Sequence, residues 1–280
     1  MSQPAPIREF VHYHRPAEFA GLELLNAHYY AHEFAPHVHE GYCIALIEAG
    51  AERFRYRGAE HCAGVGTLAI VNPDEVHTGS RAADEGWRYR VFYPDQALIR
   101  RICESMDGWQ GGTPYFPQAV VDDPAMVQPL RELHLALSGS ASLLERESRW
   151  YAAMGLLLRR HARGLARPEA GWQGRDAVAR AQAILRERHA DNLGLEALAA
   201  EVGLSPWHLN RVFRERLGLP PHAYQNQLRL ARAKNLLAGR LPLAEVAAQL
   251  GYADQAHFGR QFKRAFGITP GQYRLAGGGA

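Results

Sequence analysis

The chain has 280 residues, of which 47% are hydrophobic and 22% are charged, and its formal net charge is +3. This length is enough for two domains that each bury a core of their own. No stretch approaches about 18 consecutive apolar residues and the N-terminus lacks an apolar signal segment, so we expect a cytoplasmic protein without membrane contact.

Short apolar runs alternate with turns rich in Gly, Pro and Asn between Leu22 and Pro94. This pattern is typical of a small all-β unit, because each run is about long enough for one strand. We therefore predict an N-terminal β-barrel domain over residues 1–122. The predicted strands are Leu22–Tyr30, Tyr42–Glu48, Glu52–Tyr56, Thr67–Val71 and Tyr89–Phe92.

A group of three histidines lies within this β region. His37 and His39 are two positions apart, so on a strand both rings lie on one face, and His77 follows on a later strand. Three ring nitrogens could hold a divalent metal such as Zn, Ni or Fe. The segments Pro36–Glu40 and Asn72–His77 resemble the two motifs of the cupin barrels, His-x-His and Pro-x-x-x-His. The resemblance implies a cupin-like barrel.

Three roles are compatible with these histidines: metal ligands, hydrogen-bonding groups in an effector pocket, or core histidines without a ligand. We favour the effector pocket, with Tyr42 and Trp87 as further walls, and we expect no required cofactor. Enzymatic cupins usually place a Glu a few residues after the His pair, whereas this chain has Cys43 or Ile44 there. We therefore predict no enzyme activity and no catalytic residues, and a cupin metalloenzyme is the less favoured alternative.

Leucines at helical spacing follow the β region. Leu130, Leu133 and Leu137 predict one helix, and an amphipathic pattern over 143–158 predicts a longer one. We predict that residues 123–164 form a helical segment for dimerisation and hence a homodimer. The alternative is that these helices simply cover the barrel.

A stretch rich in Gly, Pro and Ala then separates two unlike halves of the chain. Residues 165–174 are predicted to be a linker, and residues 175–280 a second domain. From Arg175 onward the chain has 15 Lys or Arg and 8 Asp or Glu, a net charge of +7, while the remainder carries −4. A basic domain of this kind is typical of proteins that bind nucleic acid.

The second domain contains one pattern twice. In each copy, apolar residues at i, i+3, i+4 and i+7 predict a helix, and a tight turn and a second helix follow. Gly203 and Gly251 are placed to form the turns, and Ser205 and Asp254 to cap the second helices. A joining helix over residues 221–239 completes an all-α domain with two helix-turn-helix units. The repeated positions are Leu195, Leu198, Ala199, Val202 and Gly203 with Leu243, Val246, Ala247, Leu250 and Gly251, and then Leu209, Arg211, Phe213, Leu217 and Gly218 with Phe258, Arg260, Phe262, Phe266 and Gly267.

The outward faces of the second helices suit a DNA major groove. Arg can donate two hydrogen bonds to guanine, Asn or Gln can pair with adenine, and Lys or Arg can neutralise phosphates. The alternative is a solvated helix face in an ordinary bundle. The predicted DNA-binding residues are Trp207, Asn210, Arg211 and Arg214 in the first copy, and Gln255, His257, Arg260 and Lys263 in the second.

The segments LSPWHLNRVFRERLG and GYADQAHFGRQFKRAFGITPGQYR resemble the DNA-binding domain of the AraC/XylS family of bacterial transcription regulators. In that family a rigid helix holds two recognition helices, so that one chain contacts two successive major grooves about 10 base pairs apart. The resemblance covers residues 175–275, and at Gly259 a side chain that some relatives carry is missing. The base contacts that it implies are Trp207, Asn210 and Arg211, and then Gln255, His257 and Arg260.

The predicted fold class is multidomain α+β, with a cupin-like β-barrel and helical segment before an all-α domain of two helix-turn-helix units. We expect a sequence-specific transcription activator, controlled by a small-molecule effector in the barrel, with double-stranded DNA and RNA polymerase as partners. A metal-sensing regulator that uses the histidines is the alternative. Because the two recognition faces differ in sequence, we expect an asymmetric target site.

Overall fold

The computed structural model describes residues 9–37, 39–109, 111–163, 175–237, 239–266 and 268–277. Tertiary contacts divide the chain into two units, Met1–Ser138 with Ala153–Glu169, and Gly139–Ala152 with Ala170–Ala280. The predicted linker, residues 165–174, lies outside the described residues. The sequence-based prediction treats residues 123–164 as one segment, whereas the contacts group residues 139–152 with the second unit.

The first unit is a β-rich domain whose two sheets share one long strand. One sheet has the order β1-β2-β8-β4-β6-β9, and the other contains β3, β7, β4 and β5. All named strand pairs are antiparallel. The strands are β1 Phe10–His14, β2 Leu22–Tyr29, β3 Phe34–His37, β4 Cys43–Tyr56, β5 Ala59–Gly64, β6 Leu68–Val71, β7 His77–Arg81, β8 Trp87–Pro94 and β9 Val120–Val121.

The shared strand β4 corrects the prediction of two strands at 42–48 and 52–56. Its first half pairs with β6 and β8 and its second half with β5 and β7, so the chain passes from one sheet to the other without a turn. The change occurs at Gly50, which has a φ of +65° beside an irregularity in the pairing with β8. A Cβ atom there would lie 1.9 Å from the Gly86 carbonyl oxygen. Glu48 has no register partner on β8, so a bulge next to Gly50, and not a turn, joins the two halves of one strand.

Three helices accompany the sheets or follow them: α1 Gln96–Ser105, α2 Pro124–Ser138 and α3 Leu143–His161. The bounds of α2 and α3 agree with the leucine spacing. The sequence analysis missed α1, whose N-cap Asp95 accepts a hydrogen bond from the backbone N–H of Leu98. The strands β1, β5 and β9 are likewise not predicted, and β3 and β7, on which His37 and His77 are expected, are given no bounds.

The second unit contains the two helix-turn-helix units at their predicted places. Gly203 and Gly251 have φ values of +74° and +76°, a region that glycine adopts without strain. The Ser205 and Asp254 side chains accept the backbone N–H of His208 and His257, as N-caps do. The helices are α4 Arg175–Glu187, α5 Leu195–Val202, α6 Pro206–Leu217, α7 Pro221–Leu237, α8 Leu243–Gln249, α9 Gln255–Phe266 and α10 Pro270–Gly277.

The joining helix α7 connects the two helix-turn-helix units through packing and hydrogen bonds. It contacts α6 of the first helix-turn-helix unit, and α8 and α9 of the second helix-turn-helix unit. Its buried Arg229 donates hydrogen bonds to the carbonyl oxygens of His189 and Asp191, at 2.6 and 3.1 Å, in the connection between α4 and α5. These contacts hold both second helices, α6 and α9, on one scaffold.

Throughout the described part of the chain, every helix is too short or too polar to span a membrane.

Candidate functional site

The three histidines converge because β3 and β7 pair antiparallel. His37 at the end of β3 is the register partner of His77 at the start of β7, which places both rings on one face. Their ring centroids are 4.2 Å apart, and the ring of His39 lies 5.0 Å from each of them. One ring nitrogen from each histidine lies within 4.8 Å of the others.

Hydrogen bonds orient two of these rings. The Nδ1 atoms of His37 and His77 lie 2.8 and 3.1 Å from the carbonyl oxygens of Ala35 and Glu75. A carbonyl oxygen only accepts, so Nδ1 carries the proton and the Nε2 lone pair is left for a ligand. Burial lowers the pKa of His39 to about 4 and also lowers that of His77, so both rings are neutral near pH 7. Neutral rings of this kind fit a divalent metal or a hydrogen-bond donor.

The histidines form part of the wall of a cavity of about 160 Å³ inside the β-rich domain. Both sheets contribute to this wall. Its lining residues are Tyr13, Leu25, Phe34, His37, His39, Cys43, Ala45, Glu52, Phe54, Ala69, Val71, His77, Thr78, Gly79, Tyr89 and Tyr93.

Two predicted wall residues do not line this cavity. Tyr42 is fully buried elsewhere and its hydroxyl donates a 2.6 Å hydrogen bond to the carbonyl oxygen of Pro114. Trp87 is fully buried against Tyr29 and Tyr89. Both residues belong to the core of the domain, because they are fully buried. Their partners Pro114 and Tyr29 are distant in the sequence, so local patterns do not indicate these contacts.

The sequence analysis missed Glu52, an acidic residue in the cavity wall. Its side chain is 8% exposed, and burial raises its pKa to about 8. A signal was present, because Glu52, Phe54 and Tyr56 alternate along β4 and therefore share one face. Since Phe54 and Tyr56 face the core, Glu52 has to face it as well.

The predicted DNA-binding residues lie on α6 and α9, but they differ in exposure. Arg214, Gln255, Arg260 and Lys263 are exposed, and Arg211 is half-buried with an ion pair to Glu215. Trp207, Asn210 and His257 are each only 6% exposed, although the sequence analysis placed them on outward faces. That expectation of solvent exposure is wrong for these three residues in this conformation.

Residues 139–152 account for part of this burial, and we call them the cover segment. The Asn210 side-chain amide donates a 2.8 Å hydrogen bond to the carbonyl oxygen of Ser148. On the other recognition helix, the Arg260 guanidinium donates to the Ser140 hydroxyl at 2.6 Å. The cover segment therefore forms a hydrogen bond with one predicted base-contacting side chain on each second helix, Asn210 on α6 and Arg260 on α9.

Two further contacts attach the cover segment to α5. The Tyr151 hydroxyl donates to the Glu196 carboxylate at 2.8 Å, and a Glu147 carboxylate oxygen accepts the backbone N–H of Glu196 at 3.2 Å. Gly194, the N-cap of α5, has no side chain to accept that N–H, so Glu147 takes over the capping role. A Cβ atom at Gly194 would lie 2.5 Å from the Glu147 carboxylate.

Comparison with known proteins also gives two domains, but the first match includes residues 139–152, which the tertiary contacts group with the second unit. Residues 19–154 match the model of the AraC-like ligand binding domain, and residues 198–276 match a helix-turn-helix domain. The chain is 29% identical to the uncharacterized HTH-type transcriptional regulator YbfI of Bacillus subtilis, over 80% of this chain and 81% of that protein. It is 27% identical to the arabinose operon regulatory protein of Salmonella typhimurium, over 91% and 92% of the two chains. It is also 34% identical to the HTH-type transcriptional regulator MtrA of Neisseria gonorrhoeae, over 39% of this chain and 36% of that one.

Proposed function

Because this chain belongs to the AraC/XylS family of DNA-binding transcription regulators, with an N-terminal ligand-binding domain, we propose that it is an effector-controlled activator acting on one asymmetric DNA site. The observation that carries the proposal is the pair of helix-turn-helix units joined by α7. Their second helices carry different polar side chains, so the two half-sites differ in sequence. A homodimer that contacts RNA polymerase is part of the same proposal.

Regulation in this proposal acts through the cover segment. Asn210 is buried with its amide bonded to Ser148, and Arg260 has one guanidinium N–H bonded to Ser140, so the cover segment competes with DNA for both side chains. The described conformation is then a DNA-free state, and an effector acts by favouring a conformation in which the segment has left the recognition helices. An effector can shift this equilibrium only by binding one conformation more tightly than the other.

Substitutions on α6 and α9 test the DNA contacts. We expect Arg211→Ala, and Arg260→Ala in a Ser140→Ala background that already lacks the bond to the cover segment, each to cost about 1–3 kcal/mol of binding free energy and to relax the preference at one base position. Lys263→Ala should weaken binding evenly across sequences and lower the salt slope by about one unit. The measurement is fluorescence anisotropy with a duplex selected from random sequence by the wild-type chain. Equal losses for all three variants on unselected DNA would contradict these assignments.

A second candidate is a metal-sensing regulator, and the orientation of His37 and His77 by backbone carbonyl groups favours it. His37, His39 and His77 would hold the ion, which would supply a fixed positive charge within the cavity. We expect Zn²⁺ titration of chelator-treated protein to give one site that His37→Ala and His77→Ala each weaken at least about tenfold. Unchanged zinc affinity in both variants would end this candidate.

A further inference from the structure

Glu52 is a buried acid without a cation beside it. Within the described residues no hydrogen bond or ion pair to its carboxyl group is found, although the side chain is 92% buried. Its register partner across the strand pair is Arg81, whose guanidinium instead lies over the ring of Tyr30, 4.7 Å from the centroid. Burying an unpaired carboxylate is costly, so this site is incomplete without a ligand that supplies positive charge or hydrogen-bond donors.

The charge of the cavity points to a cation. Its lining residues include Glu52 but no Lys or Arg. The remaining polar groups of the wall are histidine, cysteine, threonine and tyrosine side chains. An anionic ligand would therefore meet a carboxyl group and no Lys or Arg, whereas a cationic ligand would form an ion pair with Glu52.

Aromatic rings form much of the remaining wall, and they distinguish an organic cation from a metal ion. Five aromatic side chains line the cavity with Glu52: Tyr13, Phe34, Phe54, Tyr89 and Tyr93. Rings of this kind attract ammonium groups through cation–π interactions and also pack against alkyl groups. Glu52 is not part of the histidine group whose nitrogens converge, so it is not placed as a fourth ligand of an ion held there.

The size of the cavity limits the ligand. Its volume is about 160 Å³, close to that of a cavity of about 150 Å³ that holds benzene in another protein. A ligand of about six non-hydrogen atoms is therefore the scale that fits.

We propose that the effector of this chain is a small alkylammonium ion, whose charged nitrogen pairs with the Glu52 carboxylate as the carboxyl proton is released to solvent, and whose alkyl part packs against the aromatic wall. The inference rests on the proposed function at one point, where the ligand of the cavity is taken to be the effector of the regulator. Binding in the cavity can be tested without DNA.

Calorimetric titration of the full chain with 3-methylbutylammonium chloride tests the inference. The isosteric alcohol 3-methylbutan-1-ol and the anion 2-methylpropanoate, which has the same number of non-hydrogen atoms as the ammonium ion, serve as matched ligands. We expect the ammonium ion to bind about 10- to 100-fold more tightly than the alcohol, and no binding of the carboxylate. Glu52→Gln should remove this preference, whereas Glu60→Gln, the same change at an exposed position on β5, should retain it.

Equal affinity for ammonium ion and alcohol, binding of the carboxylate, or no binding of the ammonium ion would each overturn the inference. So would an unchanged preference in a folded Glu52→Gln variant. If that variant does not fold, the preference of the wild-type chain for ammonium over alcohol decides the question. DNA binding by the same preparation tests the regulator proposal separately: DNA binding without ammonium binding overturns the effector class alone.

Discussion

A double variant, Ser140→Ala with Tyr151→Phe, is expected to bind DNA more tightly than the wild-type chain in the absence of any effector. The two substitutions remove the hydrogen bond from Arg260 to the cover segment and the one from Tyr151 to Glu196. Both bonds involve a charged partner, so together they stabilise the covered state by about 3 kcal/mol. Where the covered state dominates, this corresponds to a gain in apparent DNA affinity on the order of 100-fold.

The double variant has the same net charge as the wild-type chain, so long-range attraction to DNA is unchanged. Neither Ser140 nor Tyr151 is a predicted DNA contact. Fluorescence anisotropy with the selected duplex measures the affinity. Ser80→Ala with Tyr115→Phe makes the same chemical changes in the β-rich domain and should leave DNA affinity unchanged. An affinity equal to that of the wild-type chain would mean that the cover segment does not restrain the recognition helices of the free protein.

The second large expected effect concerns Glu52 and the pH dependence of stability. In the folded chain burial raises the pKa of this carboxyl group from 4.5 to about 8. Between these pH values the folded state keeps the proton and the unfolded state has lost it. The free energy of unfolding therefore falls as pH rises, by about 1.4 kcal/mol per pH unit from this group. The glutamine of Glu52→Gln has no proton to lose. The free energy of unfolding of this variant, relative to that of the wild-type chain, should therefore rise by about 1.4 kcal/mol per pH unit.

Differential scanning calorimetry at pH 5, 6, 7 and 8 measures this difference. We expect the difference in melting temperature, variant minus wild type, to increase by about 3–6 °C with each pH unit. His39, whose pKa burial lowers to about 4, makes the wild type more stable as pH rises, but it does so in both proteins and cancels in the comparison. Glu60→Gln is the control. Parallel curves for the wild type and Glu52→Gln would contradict the assignment of Glu52 as a buried, unpaired carboxyl group.

Much of the helical domain could be predicted from the sequence because its determinants are local. Apolar residues at i, i+3, i+4 and i+7 indicate a buried helix face, and the caps Ser205 and Asp254 act within three residues of their partners. The turn glycines Gly203 and Gly251 have the left-handed backbone that their positions suggested. None of these features depends on a distant part of the chain.

The β-rich domain was less predictable because its pairing is non-local. The side chain of Asn72 bonds to the backbone of Phe116, 44 positions away, and the strands β1, β3, β5, β7 and β9 are short and only partly buried. Alternation within one strand shows which residues share a face, yet not which strand lies opposite. That is why His37 and His77 could be grouped by motif, whereas the predicted wall residues Tyr42 and Trp87 do not line the cavity.

Local patterns in the sequence therefore determined the repeated helix-turn-helix units and the joining helix, and the two cupin-like motifs grouped the histidines. Only the tertiary structure could place the cover segment on Asn210 and Arg260, and Glu52 in a cavity where the described residues offer its carboxyl group no partner. The physical reason is that periodicity reports whether a side chain is buried, whereas its partner depends on segments brought together from up to 120 positions away. Those long-range contacts carry the proposed regulation.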